Sequence, residues 1–450
     1  MNDLHHPFRW EMVPYTTGDG IQVNVQGDKY FPQFLSVGGS RLGVFAGCAF
    51  DLAVVDDLAK TSIDDVWRVV KQGGHMVVIH PTSTPTQLPK GGWDCHLRLT
   101  HEDKVMTVFE KHNDKKQLES YQVAPDGKTA CVVRYGAVGD MVQTSSVMAR
   151  LRDMGYHTTL MCHSGNSYDV AKHDPNVDEF IVQDKDQVPQ EWLGPYWTHW
   201  MGKFDKFVNL SGSVESTWLA IEHRYQFYWP QHVRHHYLNE NYLEFMHRLA
   251  GVPLTYSPKF YPTGKEKEWA AKTKKKMGGK VLLWALAGSS CHKWWPHMDA
   301  IIAKIMLDYP DWKVLLVGDE ASQILETGWE REPRVIKKCG RWTYRQSLTF
   351  ATQAADIVIG PETGVLNSVS FLSVPKMVFL SHSSVNNLTR DWVNTTALEP
   401  DGCQCFPCHI LHTNGFTWCN QDEATGAADC QVKISPAVAW SALNQIMRVL

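Results

Sequence analysis

From residue 129 onward, short apolar runs alternate with longer amphipathic ones. Residues 131–133, 158–162, 177–182 and 204–210 read as strands, and 142–153 repeats its apolar positions at helical spacing. A second series repeats the pattern, with strands at 281–286, 312–317, 356–359 and 374–380. Its helices fall at 297–308, 348–355 and 365–372. Strands alternating with helices predict a parallel sheet covered by helices. A shorter series precedes both: strands at 20–25, 35–37, 50–55 and 75–79, and a helix at 64–71 closed by Gly73-Gly74. The charged stretch 99–126 is expected to be a terminal hairpin and linker. Seven lysines lie in 264–280, diluted by Glu266 and Glu268, and predict a solvated helix bridging two lobes rather than a basic groove. At the end, Ser435 and Pro436 are placed to cap and open a helix. Its apolar stripe is expected to be Val438, Trp440, Leu443, Ile446, Met447 and Leu450. The fold class is α/β, two tandem doubly wound Rossmann-like lobes (129–262 and 278–400) with a small Rossmann-like domain before them (1–125) and a cysteine-rich tail with a final helix after them (401–450).

Composition narrows the function. With 450 residues, 43% hydrophobic and 20% charged, the chain has the make-up of a globular protein of two or three domains. No apolar run approaches the length of a membrane span, and Met-Asn-Asp-Leu-His-His-Pro lacks the order of a signal peptide. A net charge of −4 argues against a non-specific nucleic-acid binder but leaves room for an enzyme with a local basic groove. Eleven cysteines without a secretion signal are expected to be reduced thiols in a cytoplasmic setting. Several of the 18 tryptophans and 21 histidines crowd into 192–247, read as packing and acceptor-side surface.

Three turns and the tail carry candidate chemistry. After the strand at 131–133 comes Arg134-Tyr-Gly136-Ala-Val-Gly139-Asp140. The glycines allow a sharp turn, and Asp140 stands where the turn becomes a helix, as a cap or facing a ligand crevice. The loop of small residues at 287–290 leads into Cys291-His292-Lys293-Trp294-Trp295-Pro296. Gly360-Pro361-Glu362-Thr363-Gly364 opens a helix, and a helix N-terminus is a ready anion site. In the tail, Cys403, Cys405, Cys408 and Cys419 are zinc candidates, with Cys430 and His409 nearby, at a spacing that is not a clean pair of Cys-x-x-Cys knuckles.

The segments VVRYGAVGDMVQTSSVMARLRDMGYHTTLMC, HDPNVDEFIV, WALAGSSCHKWWP and ADIVIGPETGVLNSVSFLSVPKMVFL together resemble the family-9 glycosyltransferases, the heptosyltransferase-like group of GT-B fold, over roughly 129–400. The resemblance implies an inverting transfer from a nucleotide-diphosphate sugar to an acceptor hydroxyl, with no covalent enzyme intermediate and no required cofactor. It makes Asp140 the general base, with Arg134, Gly136 and Gly139 forming its turn. It places Lys293, assisted by Ser289 and Ser290, on the donor's phosphates beside the Glu362-Thr363-Gly364 turn. Glu362 stands where the family has Asp, and Asn367 where it has His; Glu320 is a ribose ligand by position only. Upstream, FDLAVVDDLAKTSIDDVWRVVKQGGHMVVIHP resembles the later half of a class I methyltransferase. The cofactor loop of that family is replaced by Val23-Asn24-Val25-Gln26-Gly27-Asp28-Lys29, and its acidic ribose ligand is replaced near Gly38-Gly39, which implies a degenerate domain. Three other readings stay open: a transferase acting on a modified base in DNA, a bifunctional methyltransferase and glycosyltransferase, and a non-catalytic sugar-nucleotide binding protein.

Overall fold

The computed structural model describes residues 12, 19–23, 34–37, 42, 45, 49–56, 61–82, 86–90, 93–101, 103–111, 117–121, 127–183, 188, 193–212, 219–222, 224–288 and 290–450. Asn24 to Lys29, Gly38-Gly39, Ser213 and Ser289 lie outside them. The chain gathers into two compact units. One comprises Met1–Val133, Leu151–Ser164 and Asn176–Val208; the other comprises Arg134–Arg150, Gly165–Pro175 and Asn209–Leu450.

The first unit holds a six-stranded sheet ordered β2-β1-β3-β4-β7-β6, from β1 (Gly20–Val23), β2 (Leu35–Val37), β3 (Phe50–Asp56), β4 (Val70–Pro81), β6 (Trp93–His101) and β7 (Lys104–Lys111). Strands β2, β1, β3 and β4 are parallel, and β7 runs antiparallel to both β4 and β6. Leu52 to Val55 are all fully buried, the continuous apolar run of a strand covered on both faces. β5 (Thr86–Lys90) and β8 (Gln117–Tyr121) form a separate antiparallel pair. A further sheet, ordered β11-β10-β9-β12, is built from β9 (Thr129–Val133), β10 (His157–His163), β11 (Glu179–Gln183) and β12 (Lys206–Asn209).

Two expectations change here. The helix runs Ile63–Val69, capped by Ser62 Oγ accepting from Asp65 N–H at 3.3 Å, and β4 begins at Val70. Gly73 takes φ +71 inside that strand, where the register against β3 shifts, rather than closing the helix. Within 99–126, the expected hairpin is β6–β7, which starts earlier, at Trp93, and lies inside the sheet with β7 between β4 and β6. The polar residues of β7 conceal Val105, Met106, Val108 and Phe109, which are buried in the core.

The second unit holds a six-stranded parallel sheet, β16-β15-β14-β17-β18-β19, from β14 (Lys280–Ala285), β15 (Trp312–Val317), β16 (Val335–Lys337), β17 (Ile357–Pro361), β18 (Lys376–Phe379) and β19 (Thr395–Leu398). Strand order reverses between β14 and β17, and in such sheets ligands bind beyond the carboxyl ends at that switch point. One face carries helix Met298–Asp308 and the final helix, whose Ile301, Ile302, Ile305, Leu443 and Met447 pack on Leu282, Trp284 and Leu316. Ser435 and Pro436 cap and open that last helix as expected. Its buried line is Ala439-Leu443-Met447, at i, i+4 and i+8, flanked by Trp440 and Ile446. Val438 and Leu450, expected in the stripe, are 56% and 44% exposed and fall outside the buried line. The lysine-rich run is helix Gly264–Met277, with a complete capping box between Thr263 and Glu266 and with Gly278 and Gly279 at φ +67 and +68. Helix Tyr344–Gln353 starts before the expected 348, because Thr343 and Gln346 form a second capping box.

Candidate functional site

The loops after β14 and β17 meet at the switch point. Lys293 is 7% exposed, and its Nζ donates to the Glu362 carbonyl at 2.9 Å. Its stem crosses Gly288, where a Cβ would stand 2.5 Å from Lys293 Cδ, so no larger residue fits there without moving the lysine. Two residues on, Trp295 is a buried anchor. It stacks on Phe379 at 4.6 Å and donates its indole N–H to Ile434 O at 3.1 Å, which fixes the loop that carries Lys293. Burial lowers the Lys293 pKa, while the charges of Glu362 and Asp140 oppose the fall. Asp140 is therefore within electrostatic reach of the lysine.

Asp140 lies in the first turn of helix Val138–Asp153. Oδ2 accepts from the Ala137 N–H at 2.9 Å, the reach-back of an acidic residue in the first helical turn. Oδ1 accepts from the Tyr242 hydroxyl and from Arg134 Nη2, both at 2.8 Å. Arg134 is fully buried and also donates to Leu210 O at 3.1 Å and to Tyr242 at 2.6 Å. The Asp140 side chain remains 30% exposed. Burial works against its ionisation but is outweighed by Arg134's charge and by hydrogen bonds from Tyr242, Arg134 and Ala137, so its pKa lies below the ordinary value. Capping and an electrostatically held, accessible carboxylate coexist in one side chain.

The Asp140 turn and the Glu362-Thr363-Gly364 turn pack directly on each other through their glycines. A Cβ on Gly364 would stand 2.5 Å from Val138 Cγ1 and 3.0 Å from Gly139 N; one on Gly139 would stand 2.5 Å from Asn367 Nδ2. Across the same contact Gln143 Nε2 donates to Asn367 Oδ1 at 3.0 Å. Two motifs some two hundred residues apart thus bring the first turns of helices Val138–Asp153 and Gly364–Val369 together. Gly364→Val is expected to lower unfolding free energy by about 1–3 kcal/mol through overpacking. Gly264→Ala, at a site with open space around it, should stay within about 0.5 kcal/mol. Urea unfolding of the two variants checks this.

Glu362 is held by the loop after β18. Its buried carboxylate accepts from Ser381 N–H (2.8 Å), Ser381 Oγ (3.1 Å) and Ser383 N–H (3.1 Å), and lies 2.6 Å from His382 Nδ1. It anchors the loop after β18. Burial opposes its ionisation, but His382, Lys293 and the Ser381 N–H hold its pKa far below the usual carboxylate range. Thr363 caps its helix toward Leu366 N–H. Asp140 and Glu362 are both depressed, so their stabilisation is fully present above the ordinary carboxylate range, near pH 4, and is lost as pH falls toward their native values. The melting temperature should therefore fall on acidification below about pH 4, and Glu362→Gln should flatten that fall; a pH series of thermal melts reads it.

A group of buried histidines was not foreseen from the sequence. His292, next to Lys293, has Nε2 3.4 Å from His382 Nδ1, and its ring centroid is 4.7 Å from that of His412. Ser290 Oγ is engaged by this group, 2.6 Å from His292 Nδ1 and donating to His412 O at 2.6 Å. Burial pushes His412 down to about 4 and His409 down to about 3, and it lowers His292 further, so these three are neutral at pH 7. The signal was present in Ser381-His382-Ser383-Ser384 and Cys408-His409-Ile-Leu-His412, yet no helical or strand period marks it. Glu320 is exposed after β15 with no cap bond of its own, while Asp319 caps Ser322 at 2.9 Å. In the tail, Cys403 and Cys405 sulfurs stand 3.6 Å apart, Cys403 Sγ is 3.6 Å from Asp429, and Cys408 lies 3.8 Å from His412 Nε2.

No known family's sequence profile matches the chain, and no curated protein matches it in sequence. Solved structures do resemble it in fold. A family 9 glycosyl transferase from Veillonella parvula aligns with 15% identity over 71% of this chain and 97% of its own, with a TM-score of 0.50. The E. coli ADP-heptose LPS heptosyltransferase II aligns with 15% identity over 71% and 98%, at 0.48. The iron-containing dodecameric glycosyltransferase TibC of enterotoxigenic E. coli aligns with 14% identity over 75% and 82%, at 0.44. The chain is an α/β protein whose fold resembles that of the Veillonella parvula structure. Among the described residues, no helix is long and apolar enough to cross a membrane.

Proposed function

We propose that this chain is an inverting glycosyltransferase that moves a sugar from a nucleotide-diphosphate donor to an acceptor hydroxyl. The observation that carries the reading is the glycine-to-glycine contact that joins the Asp140 turn to the β17 switch-point turn, with Lys293 bonded to the latter. Glycosyl transfer needs a base for the acceptor proton and positive charge where the leaving diphosphate develops its own. Asp140 serves as the base. Its Oδ2 spends one lone pair on Ala137, which leaves acceptor capacity on a partly exposed carboxylate. A carboxylate of lowered pKa is a weak base, so the proton moves late, as the glycosidic bond forms. Lys293 spends one N–H on Glu362 O and has two more for the diphosphate. Thr363, Gly364, Ser290, Asn367 and Glu320 line the donor side in this reading. Glu362 acts through the loop it anchors.

The first 125 residues we read as a degenerate methyltransferase-like domain, supported by the parallel run β2-β1-β3-β4 and the glycine turn before His75. The tail cysteines we read as a metal clip, supported by the Cys403 and Cys405 sulfurs 3.6 Å apart. A second functional reading, a non-catalytic nucleotide-sugar binder, is favoured by the full engagement of Glu362 and the tight hold on Asp140. A thermal-shift screen against ADP, UDP, GDP and CDP sugars, followed by a nucleoside diphosphate release assay on the best donor, separates them. Stabilisation with release supports the transferase, stabilisation without release on any acceptor supports the binder, and no stabilisation by any donor contradicts both.

A further inference from the structure

Outside that site, the sheet of the first unit gathers three metal-ligating side chains on adjacent strands. His75 on β4 lies directly opposite Glu110 on β7, so both point from the same face. His96 on β6 sits at the register shift between Cys95 and Leu97, where β6 carries an extra residue against β7. Regular alternation would turn residue 96 away from the face shared by Leu97 and its partner Val108; the bulge re-aims it to the His75–Glu110 face. His96 Nε2 and Glu110 Oε2 are 2.9 Å apart, and the His75 and His96 rings meet edge to face at 5.5 Å. One ligand atom from each of the three lies within 4.8 Å of the other two. Ligand atoms around an ion held at about 2.1 Å stand about 3–3.5 Å apart, so small side-chain rotations suffice to close the set.

The surroundings favour an ion. Val77, Val108 and Leu97 beside the trio are fully buried, and His96 itself is 2% exposed. The 16% exposure of Glu110 leaves an approach from solvent. Two imidazoles and one carboxylate form a borderline donor set that suits zinc, iron(II) or cobalt(II) over magnesium or calcium. Three protein ligands also leave coordination positions open, as in reactive rather than purely structural sites.

We propose that His75, His96 and Glu110 bind a divalent first-row transition-metal ion in the N-terminal sheet, independently of the sugar-transfer site. The test uses the untagged full chain, stripped with chelator and carrying Cys405→Ser and Cys408→Ser so that the tail thiols do not compete. Titrated with cobalt(II), it should take up one equivalent, with weak visible d–d bands and no sulfur-to-metal charge-transfer band. His75→Gln and Glu110→Gln, each added to that chain, should weaken uptake at least tenfold. Should the double-serine chain fail to fold, the same comparison is read in the native chain as loss of one equivalent with the charge-transfer band unchanged. Absence of non-thiolate uptake, or uptake that both substitutions leave intact, overturns the proposal and leaves His96–Glu110 as a plain buried ion pair.

Discussion

Replacing Asp140 by Asn is expected to slow sugar transfer by about 10²- to 10⁴-fold, the usual weight of a positioned general base. Nucleotide affinity should hardly change, because the asparagine would keep the shape and stay clear of the diphosphate. Stability will respond as well. The fully buried Arg134 faces Asp140 Oδ1 at 2.8 Å, and taking the carboxylate away leaves a guanidinium without its counter-charge. For Asp140→Ala that loss is about 3–5 kcal/mol, the range for breaking a buried pair from one side. Asp140→Asn retains an acceptor for Arg134 and Tyr242 and should lose less. Rates are therefore compared below both melting transitions. Tyr242→Phe supplies the internal check: it removes one hydrogen bond to Asp140 and raises the carboxylate's pKa, so the acid limb of the pH–rate profile should move upward while transfer persists. Full-rate transfer by Asp140→Asn would remove the base from the mechanism.

The second large effect belongs to Lys293. Met has a similar reach without charge or donors, and Lys293→Met is expected to cost about 10²- to 10³-fold in transfer, as for loss of a donor aimed at developing negative charge. The effect on folding should be small by comparison. The substitution leaves the Glu362 carbonyl without its donor, a loss of about 1–3 kcal/mol, and offsets this by relieving a buried ammonium. A variant inactive yet near-normal in urea unfolding is the expected signature. If Lys293→Met unfolds at the rate of a core cavity mutant, the lysine is a packing residue instead.

How much of this was legible in the sequence depends on the kind of signal. Four central strands of the C-terminal sheet are legible, and Trp312–Val317 is bounded without error, because a parallel strand buried on both faces is a continuous apolar run; the short edge strands β16 and β19 carry no such run and are missed. The hairpin that contains β7 is legible, but the place of β7 inside the sheet is not, since Lys104, Thr107, Glu110 and Lys111 make its composition that of a surface hairpin. The stripe of the last helix was misphased because Val438 and Leu450 are apolar yet exposed, while small Ala439 fills the contact. In the candidate site, Asp140 and Lys293 are singled out by motif and turn position, and each lies within electrostatic reach of the other. The partners that set their behaviour were not visible. Arg134 was read as part of a turn rather than as a buried counter-charge, Tyr242 lies a hundred residues away, and His382 and His412 reach the site through tertiary folding alone. The partners of Glu362 are hidden for the same reason: the residues that bind its carboxylate come from a different strand's loop. The glycines at 139 and 364 were recognised as turn-formers, whereas their tightest constraint is each other's backbone and neighbours.

The central claim is that Lys293 holds a diphosphate while Asp140, packed beside it, serves the acceptor. Calorimetric titration of nucleoside diphosphates into the parent chain, Asp140→Asn and Lys293→Met tests both halves at once. The account predicts saturable binding to the parent of at least one nucleoside diphosphate, equal binding to Asp140→Asn, and affinity at least tenfold weaker for Lys293→Met. Equal affinity in all three chains, or no binding by the parent, would contradict it.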